Sequence, residues 1–213
     1  MQTFTNAEGK AVVEAVIQVI QDNTAFLSEI DGAIGDGDHG VNMNKGVTRA
    51  KEQLGDQPFD FTAGIKAVSD VMMNDIGGSM GPLYGMFFRQ MFRVTRNQET
   101  IDGKLFEEML TRALASIKDL GGAKVGDKTL LDTLDPAVAA FSDQFKKEPD
   151  FFSALEAMKI AAEKGKDSTI ELVAKVGRSS RLGERSKGVL DAGATSCWLI
   201  LSAMADAITS LAK

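Results

Sequence analysis

Three aspartates, Asp31, Asp36 and Asp38, lie in one short glycine-rich stretch of the chain. Carboxylates this close together repel one another unless a cation joins them. Hard oxygen ligands, in a chain with one cysteine and one histidine, suit Mg²⁺ or Ca²⁺. The EF-hand loop is a poor match, because no glutamate stands at its twelfth position. The alternative interpretation is that these Asp-Gly pairs form turns and helix caps without a metal.

Of the two cations, Mg²⁺ explains the surrounding residues better. It takes one or two protein carboxylates and leaves positions for phosphate oxygens, so acidic residues fit a loop where phosphate alone would be repelled. A second stretch, Gly77-Gly78-Ser79, leads into a segment with Pro82 near its start. Free N–H groups at the start of a helix bind anions. The spacing therefore predicts a site for a phosphorylated ligand and its metal.

Other side chains suited to a phosphoryl group are His39, inside the aspartate stretch, and the arginines Arg178, Arg181 and Arg185. Arginines hold nucleotides or a transferring phosphoryl group, and a histidine can contact a phosphate or accept a phosphoryl group. The alternatives are a solvated basic face for the arginines and a hydrogen-bonded loop residue for the histidine.

Two glycine motifs resemble nucleotide-binding fingerprints, and we reject both. Residues 35–40 match the dinucleotide pattern G-x-G-x-x-G, but a predicted helix precedes them where a strand is required. Residues 121–129, GGAKVGDKT, approach the P-loop pattern, but Asp127 stands where the lysine belongs. Neither motif predicts a Rossmann or P-loop fold.

The elements that must position these residues are helices. Fifteen of the 21 glycines fall in four clusters, and between the clusters apolar residues recur at helical spacing without strand-like alternation. The predicted helices cover about 12–27, 41–54, 60–76, 82–92, 102–120, 130–145, 150–175 and 193–212, with Pro136 at a kink or near a start. Eight helices predict an all-α bundle or barrel. Alternate joints of an up-and-down arrangement share one end, so we expect the glycine-rich loops to meet there.

Composition excludes several classes of protein. The 213 residues suffice for one domain, predicted over residues 1–213. The lone Cys197 excludes a disulfide framework, and a single histidine excludes a multi-histidine metal centre. A net charge of -6 argues against nucleic acid, and no segment approaches the ~18 uninterrupted apolar residues of a membrane span. We expect a soluble, cytoplasmic protein that binds neither nucleic acid nor membrane.

Together the four glycine-rich stretches resemble the L subunit of dihydroxyacetone kinases, the nucleotide-binding subunit. The similar stretches, in order, are EIDGAIGDGDHGVNMNKG (29–46), GGSMGPLYG (77–85), GGAKVGDKTLLDTLDPA (121–137) and KVGRSSRLGERSKGVLDAGATS (175–196). The resemblance runs over nearly the whole chain. It implies an all-α fold, an eight-helix antiparallel up-and-down barrel with the nucleotide site in loops at one end.

The resemblance also implies roles for individual residues. Asp31, Asp36 and Asp38 would bind two Mg²⁺ ions, and Arg178 and His39 are the expected catalytic residues. The residues expected to bind ADP or ATP are His39, Gly40, Val41, Asn42, Ser79, Met80, Gly121, Leu130, Arg178, Asp191, Ala192 and Gly193.

Three positions depart from the pattern of that family. Met80 stands where the second glycine loop usually has a serine, although Ser79 beside it offers a hydroxyl. Arg181 replaces a frequent tyrosine, and Ala192 a frequent proline. The change at Met80 affects one hydroxyl contact. The changes at Arg181 and Ala192 affect nucleotide affinity or a docking surface.

The implied reaction is phosphoryl transfer from Mg-bound ATP to dihydroxyacetone, giving dihydroxyacetone phosphate. The implied partners are a separate K subunit, which holds the ketose, and a phosphotransferase-system protein, which rephosphorylates ADP in place. A transcription regulator and a second copy of the chain, forming a homodimer, are further candidate partners. The alternative functions are an ADP-bound regulator of a transcription factor, an ATP-dependent kinase subunit for another small ketose, and a helical Ca²⁺- or Mg²⁺-binding module without catalysis.

Overall fold

The computed structural model describes residues 2–212, which are mostly helical. The α-helices in that range are α1 (Lys10–Asp22), α2 (Thr24–Ile34), α3 (His39–Leu54), α4 (Phe61–Asp75), α5 (Met80–Thr95), α6 (Gly103–Gly121), α7 (Leu131–Lys147), α8 (Phe151–Ser168) and α9 (Ala192–Leu211). Two 3₁₀ segments, Thr169–Glu171 and Ser179–Ser186, lie between α8 and α9. The all-α prediction is confirmed.

The first predicted helix, about 12–27, is two helices, so residues 2–212 hold nine α-helices where the sequence predicts eight. Between α1 and α2, Asn23 leaves helical geometry with φ −104° and ψ 12°. Its side-chain amide donates to the carbonyl of Val19 at 2.8 Å, which satisfies an end carbonyl of α1. The separate helix α2 then carries Asp31 in its last turn.

Other boundaries differ for local reasons. Helix α3 begins at His39 and so includes the single histidine, whereas the sequence predicts a start near 41. The predicted helix 150–175 ends at Ser168 and continues as a 3₁₀ turn. Two strands that the sequence does not predict, β1 (Thr3–Thr5) and β2 (Thr100–Asp102), pair antiparallel with Phe4 opposite Ile101. Strands of three residues are too short to show an alternating pattern.

The helices pack in a closed circuit of neighbours. Each of α2 to α8 packs against the next helix in the chain, and α1 packs against both α9 and α3. Their apolar faces form a continuous hydrophobic core through the described residues. This circuit favours the antiparallel up-and-down barrel and the single domain over residues 1–213, both of which stay predictions.

Helix α9 forms part of the core. It is the one helix in residues 2–212 long and apolar enough to cross a membrane, with a mean hydropathy of 1.3. However, 56% of that stretch is buried inside the protein, and α9 packs against α1 and α8. Cys197 is buried within it. It is therefore a core helix, as the sequence predicts.

Helices α7 and α8 approach each other closely at one glycine. Pro136 lies inside α7 and lacks the N–H that would pair with the carbonyl of Asp132. Gly165 of α8 packs against this same carbonyl, and a Cβ at position 165 would overlap its oxygen. It would also lie 3.0 Å from the Cα of Thr133. Both contacts are to backbone, so neither can be relieved by turning a side chain.

We expect Gly165→Ala to lower the free energy of unfolding by on the order of 1–3 kcal/mol, because the added methyl group forces the two helices apart. Gly46→Ala in α3 is the matched control. Its Cβ would meet the flexible end of Met72, and alanine is the better helix former, so little loss is expected. Urea unfolding of both variants measures the difference. Equal stability of Gly165→Ala and the wild type would contradict the close approach of α7 and α8.

Candidate functional site

The four glycine-rich loops meet around one cavity of about 510 Å³. Residues from each cluster line it, which confirms that these loops share one end of the helical assembly. The predicted site residues that line the cavity are Asp31, Asp36, Asp38, His39, Asn42, Ser79, Met80, Gly121, Leu130, Arg178, Asp191, Ala192 and Gly193.

The three aspartates form a compact cluster at this cavity. One carboxylate oxygen from each of Asp31, Asp36 and Asp38 lies within 4.8 Å of the others. The loop that carries them turns tightly, with Gly37 at φ +76°. Gly35 contacts the first carboxylate so closely that a Cβ there would lie 2.6 Å from Asp31 Oδ1. A cluster of hard carboxylate oxygens at this spacing fits a bound Mg²⁺ ion.

Two positive or hydrogen-donating groups already contact the carboxylates. The guanidinium of Arg178 forms an ion pair with the carboxylate of Asp36. The backbone N–H of His39 donates to Asp31 Oδ2 at 3.2 Å. The side chain of Arg178 is 62% exposed and lines the cavity, so its guanidinium is open to solvent on the side away from Asp36.

His39 is a buried residue with a neutral ring at pH 7. Its side chain lies at the start of α3, and Nε2 is 2.8 Å from the hydroxyl of Ser196 in α9. Burial lowers the pKa of His39 to about 4, although the nearby carboxylate of Asp31 raises it in part. The ring can therefore act as a neutral hydrogen-bonding group towards a ligand.

The second glycine-rich loop places the hydroxyl group of Ser79 beside the start of α5. Ser79 is exposed, lines the cavity and has no hydrogen bond from its side chain to the described residues. Met80, the first residue of α5, lines the cavity next to it. The first N–H groups of a helix have no helical partner and suit an anion.

The start of α9 forms another part of the lining. Asp191 caps this helix by accepting the N–H of Ala194 at 2.7 Å. Its own N–H donates to Thr169 Oγ1 at 3.0 Å. Burial raises the pKa of Asp191 to about 6, against the lowering effect of the Ala194 N–H and of the Lys128 ammonium.

Sequence reasoning missed Lys128, which lines the cavity and is 1% exposed. Its ammonium donates to the carbonyl oxygens of Thr169 at 2.5 Å and Val189 at 2.6 Å, so it joins three separate segments. Burial lowers the pKa of Lys128. The only sequence signal was its place in the GGAKVGDKT stretch, which we rejected as a P-loop.

Some predicted residues do not reach the cavity. Gly40 is buried against α2, where a Cβ would overlap the carbonyl oxygen of Thr24, and Val41 is 58% exposed. Neither lines the cavity, nor do Arg181 and Arg185, which are exposed. Lining residues that the sequence did not single out include Leu83, Tyr84, Ile117, Ala123, Thr129 and Ser179.

Comparison with known protein families gives a match over most of the chain. The model of the DAK2 domain matches residues 33–206. The ADP-binding subunit DhaL of PEP-dependent dihydroxyacetone kinase 1 from Listeria innocua is 37% identical over 186 residues, covering 87% of this chain and 88% of that protein. The ADP-binding subunit DhaL of the PTS-dependent dihydroxyacetone kinase from Lactococcus lactis is 38% identical over 178 residues, covering 83% and 84%.

The fold is similar to that of a solved kinase. The structure of the dihydroxyacetone kinase from C. freundii, in complex with AMP-PNP and Mg²⁺, matches with a TM-score of 0.69 and 25% sequence identity. The match covers 94% of this chain and 33% of that one. The chain therefore corresponds in length to about a third of that enzyme.

The raised pKa of Asp191 predicts a pH-dependent stability. The folded-state pKa of about 6 exceeds the ordinary value of 3.8, so the stabilising contribution of Asp191 is full below pH 3.8 and is lost as the pH rises through 6. Asp191→Asn keeps a capping oxygen but cannot ionise. Relative to the wild type, its free energy of unfolding should rise by roughly 2–3 kcal/mol between pH 4 and pH 7.5.

Asp150 is the matched control, because it caps α8 in the same way but has a lowered pKa, mainly through the N–H of Ser153. The difference in stability between Asp150→Asn and the wild type should therefore stay nearly constant from pH 4 to pH 7.5, and shrink only as the pH falls below about 4. Urea unfolding across this pH range measures both differences. Parallel curves for Asp191→Asn and the wild type would refute the raised pKa.

Proposed function

Because the chain belongs to the DAK2 domain family, we propose that it is the nucleotide-binding subunit of a phosphoenolpyruvate-dependent dihydroxyacetone kinase. Such a subunit transfers a phosphoryl group to an alcohol, here from Mg-bound ATP to dihydroxyacetone. The observation that carries the proposal is the single cavity in which four glycine-rich loops, a carboxylate cluster and Arg178 come together. Its volume of about 510 Å³ suits a small-molecule ligand.

The metal ligands in this proposal are Asp31, Asp36 and Asp38, which hold two Mg²⁺ ions. The metal, when bound, neutralises phosphate charge and so permits an anionic ligand beside three carboxylates. The spacing of the three carboxylate oxygens supports this assignment. The half-buried Asp31 is held by the N–H of His39, and the two exposed aspartates leave the cluster open to the cavity.

The remaining residues bind and orient the nucleotide. His39, Asn42 and Ser79 present polar groups to the phosphates, with the N-terminal N–H groups of α5 beside them. Arg178 exchanges the carboxylate of Asp36 for the transferring phosphoryl group and stabilises its charge. Gly121, Leu130 and the residues 191–193 surround the nucleoside. Catalysis of this kind depends mostly on positioning and charge neutralisation.

The acceptor and the phosphoryl donor come from partner subunits. A K subunit holds dihydroxyacetone, and a protein of the phosphotransferase system rephosphorylates ADP, which stays bound in the cavity. Relatives named ADP-binding subunits, one of which the match covers over 88% of its length, support the role of nucleotide-binding component. The proposed location is the cytoplasm.

The direct test of the function is calorimetry of ADP binding with and without Mg²⁺. We expect the wild type to bind ADP tightly only with Mg²⁺, and to carry nucleotide and magnesium through purification. Asp36→Asn and Asp38→Asn should bind at least about tenfold more weakly, because each loses a charged ligand. Asp56→Asn, at an exposed loop, is the control and should bind normally. Absence of Mg-dependent ADP binding in the wild type would overturn the proposal.

Arg178→Ala should slow phosphoryl transfer in a reaction reconstituted with the K subunit and the phosphoryl donor. The expected fall in turnover is at least about a hundredfold, since a guanidinium that stabilises the transferring group contributes on the order of 10³ or more. Arg185→Ala, exposed and outside the cavity, is the control. Turnover at the wild-type rate in Arg178→Ala would remove this arginine from the catalytic machinery.

A further inference from the structure

The single histidine and the single tyrosine of the chain meet through one buried serine. Ser196 Oγ lies 2.6 Å from the hydroxyl oxygen of Tyr84 and 2.8 Å from Nε2 of His39. The three residues belong to α9, α5 and α3. Ser196 is fully buried and Tyr84 is 3% exposed, so water does not compete for these bonds. Nε2 of His39 is thus hydrogen-bonded to the hydroxyl of Ser196, which is hydrogen-bonded in turn to the hydroxyl of Tyr84.

The distances favour one path for the protons. Ser196 has one proton, and its other acceptors are the carbonyl oxygens of Ala192 at 3.0 Å and Gly193 at 3.2 Å, both more distant than His39 Nε2. Tyr84 likewise lies closer to Ser196 than to the carbonyl oxygen of Gly193, at 3.1 Å. The short contacts therefore form a chain from Tyr84 through Ser196 to His39.

This chain also decides which ring nitrogen of His39 carries the proton. Nδ1 of His39 has no hydrogen bond to the residues that the structure describes, and the ring lines the cavity. Phosphate oxygens accept hydrogen bonds only. A lone pair on Nδ1 would repel such an oxygen, whereas an N–H there can donate to it. Donation from Ser196 to Nε2 leaves the ring proton on Nδ1.

We propose that Ser196, hydrogen-bonded in turn to Tyr84, is a positioning residue that holds the ring of His39 in its Nδ1–H form, so that this N–H can donate to a phosphate oxygen in the cavity. This inference rests on the proposed function for the identity of the acceptor. The hydrogen-bond chain itself does not depend on a bound nucleotide. The two can therefore be tested separately.

The experiment is long-range ¹H–¹⁵N NMR of the full chain labelled with ¹⁵N-histidine, at pH 7.5 and without nucleotide. Because His39 is the only histidine, the spectrum reports the tautomer of this one ring. We expect the Nδ1–H pattern in the wild type. In Ser196→Ala the ring should shift towards the Nε2–H form, which free histidine prefers, and calorimetry should show Mg-ADP binding weakened roughly three- to tenfold.

Ser202→Ala is the matched control. Ser202 lies in the same helix, and its buried hydroxyl has no hydrogen-bond partner in the described residues, so its removal should change neither the tautomer nor nucleotide binding. Alanine favours the helix, and the fluorescence of Trp198, the single tryptophan, reports whether α9 remains packed. A purely structural role for Ser196 would alter stability without altering the tautomer.

Three results would overturn the inference: an Nε2–H ring in the wild type, an unchanged tautomer in Ser196→Ala, or normal Mg-ADP binding in Ser196→Ala despite a changed tautomer. If the wild type shows the Nδ1–H form but binds no Mg-ADP, the proposed function fails. The assignment of a phosphate oxygen as the acceptor of this N–H then fails as well. The positioning of the ring by Ser196 then stands alone. The inference is supported if Ser196→Ala changes the tautomer and weakens Mg-ADP binding while Ser202→Ala changes neither.

Discussion

The mutual repulsion of three carboxylates is the constraint on which the rest of the site depends. Two unit charges 4 Å apart repel by about 4 kcal/mol at an effective dielectric constant of 20, and the oxygens of Asp31, Asp36 and Asp38 lie within 4.8 Å of one another. The chain offsets part of this cost through Arg178 and through the N–H of His39. One guanidinium and one backbone N–H do not balance three carboxylates, so the cluster keeps an excess of negative charge that a bound cation would neutralise.

Holding the carboxylates together requires a rigid frame, which the helices supply at several close contacts. The break at Asn23 creates the short helix α2, whose last turn carries Asp31, and Gly40 lets α3 pack directly on α2. Behind the cavity, the bonds of Ser196 join α3, α5 and α9. On the far side, the ammonium of Lys128 joins its loop to two other segments. Each loop is therefore tied to the core by buried polar contacts.

Most helices and the meeting of the loops could be predicted from the sequence, because apolar spacing and clustered glycines are local signals. The break at Asn23 could not, since it interrupts the apolar pattern at one residue only. The direction in which individual side chains point could not be predicted from the sequence either. Val41 follows His39 and Gly40 in the same motif, yet the helical rotation at the start of α3 leaves it facing solvent. The burial of Lys128 could not be predicted for another reason. Its ammonium is held by the carbonyls of Thr169 and Val189, which lie 41 and 61 residues further along the chain.

The charges around the cavity are arranged in two different ways. Near the start of α9, the buried Lys128 ammonium lies close to the carboxylates of Asp191 and Asp132 and offsets part of their negative charge. Around Asp36 the carboxylates outnumber the cations and are open to solvent. A polyphosphate is repelled from this acidic region unless it arrives with metal, whereas an uncharged nucleoside is repelled by neither region. Under the proposed function, this placement of charges would couple the binding of phosphate to the binding of a cation.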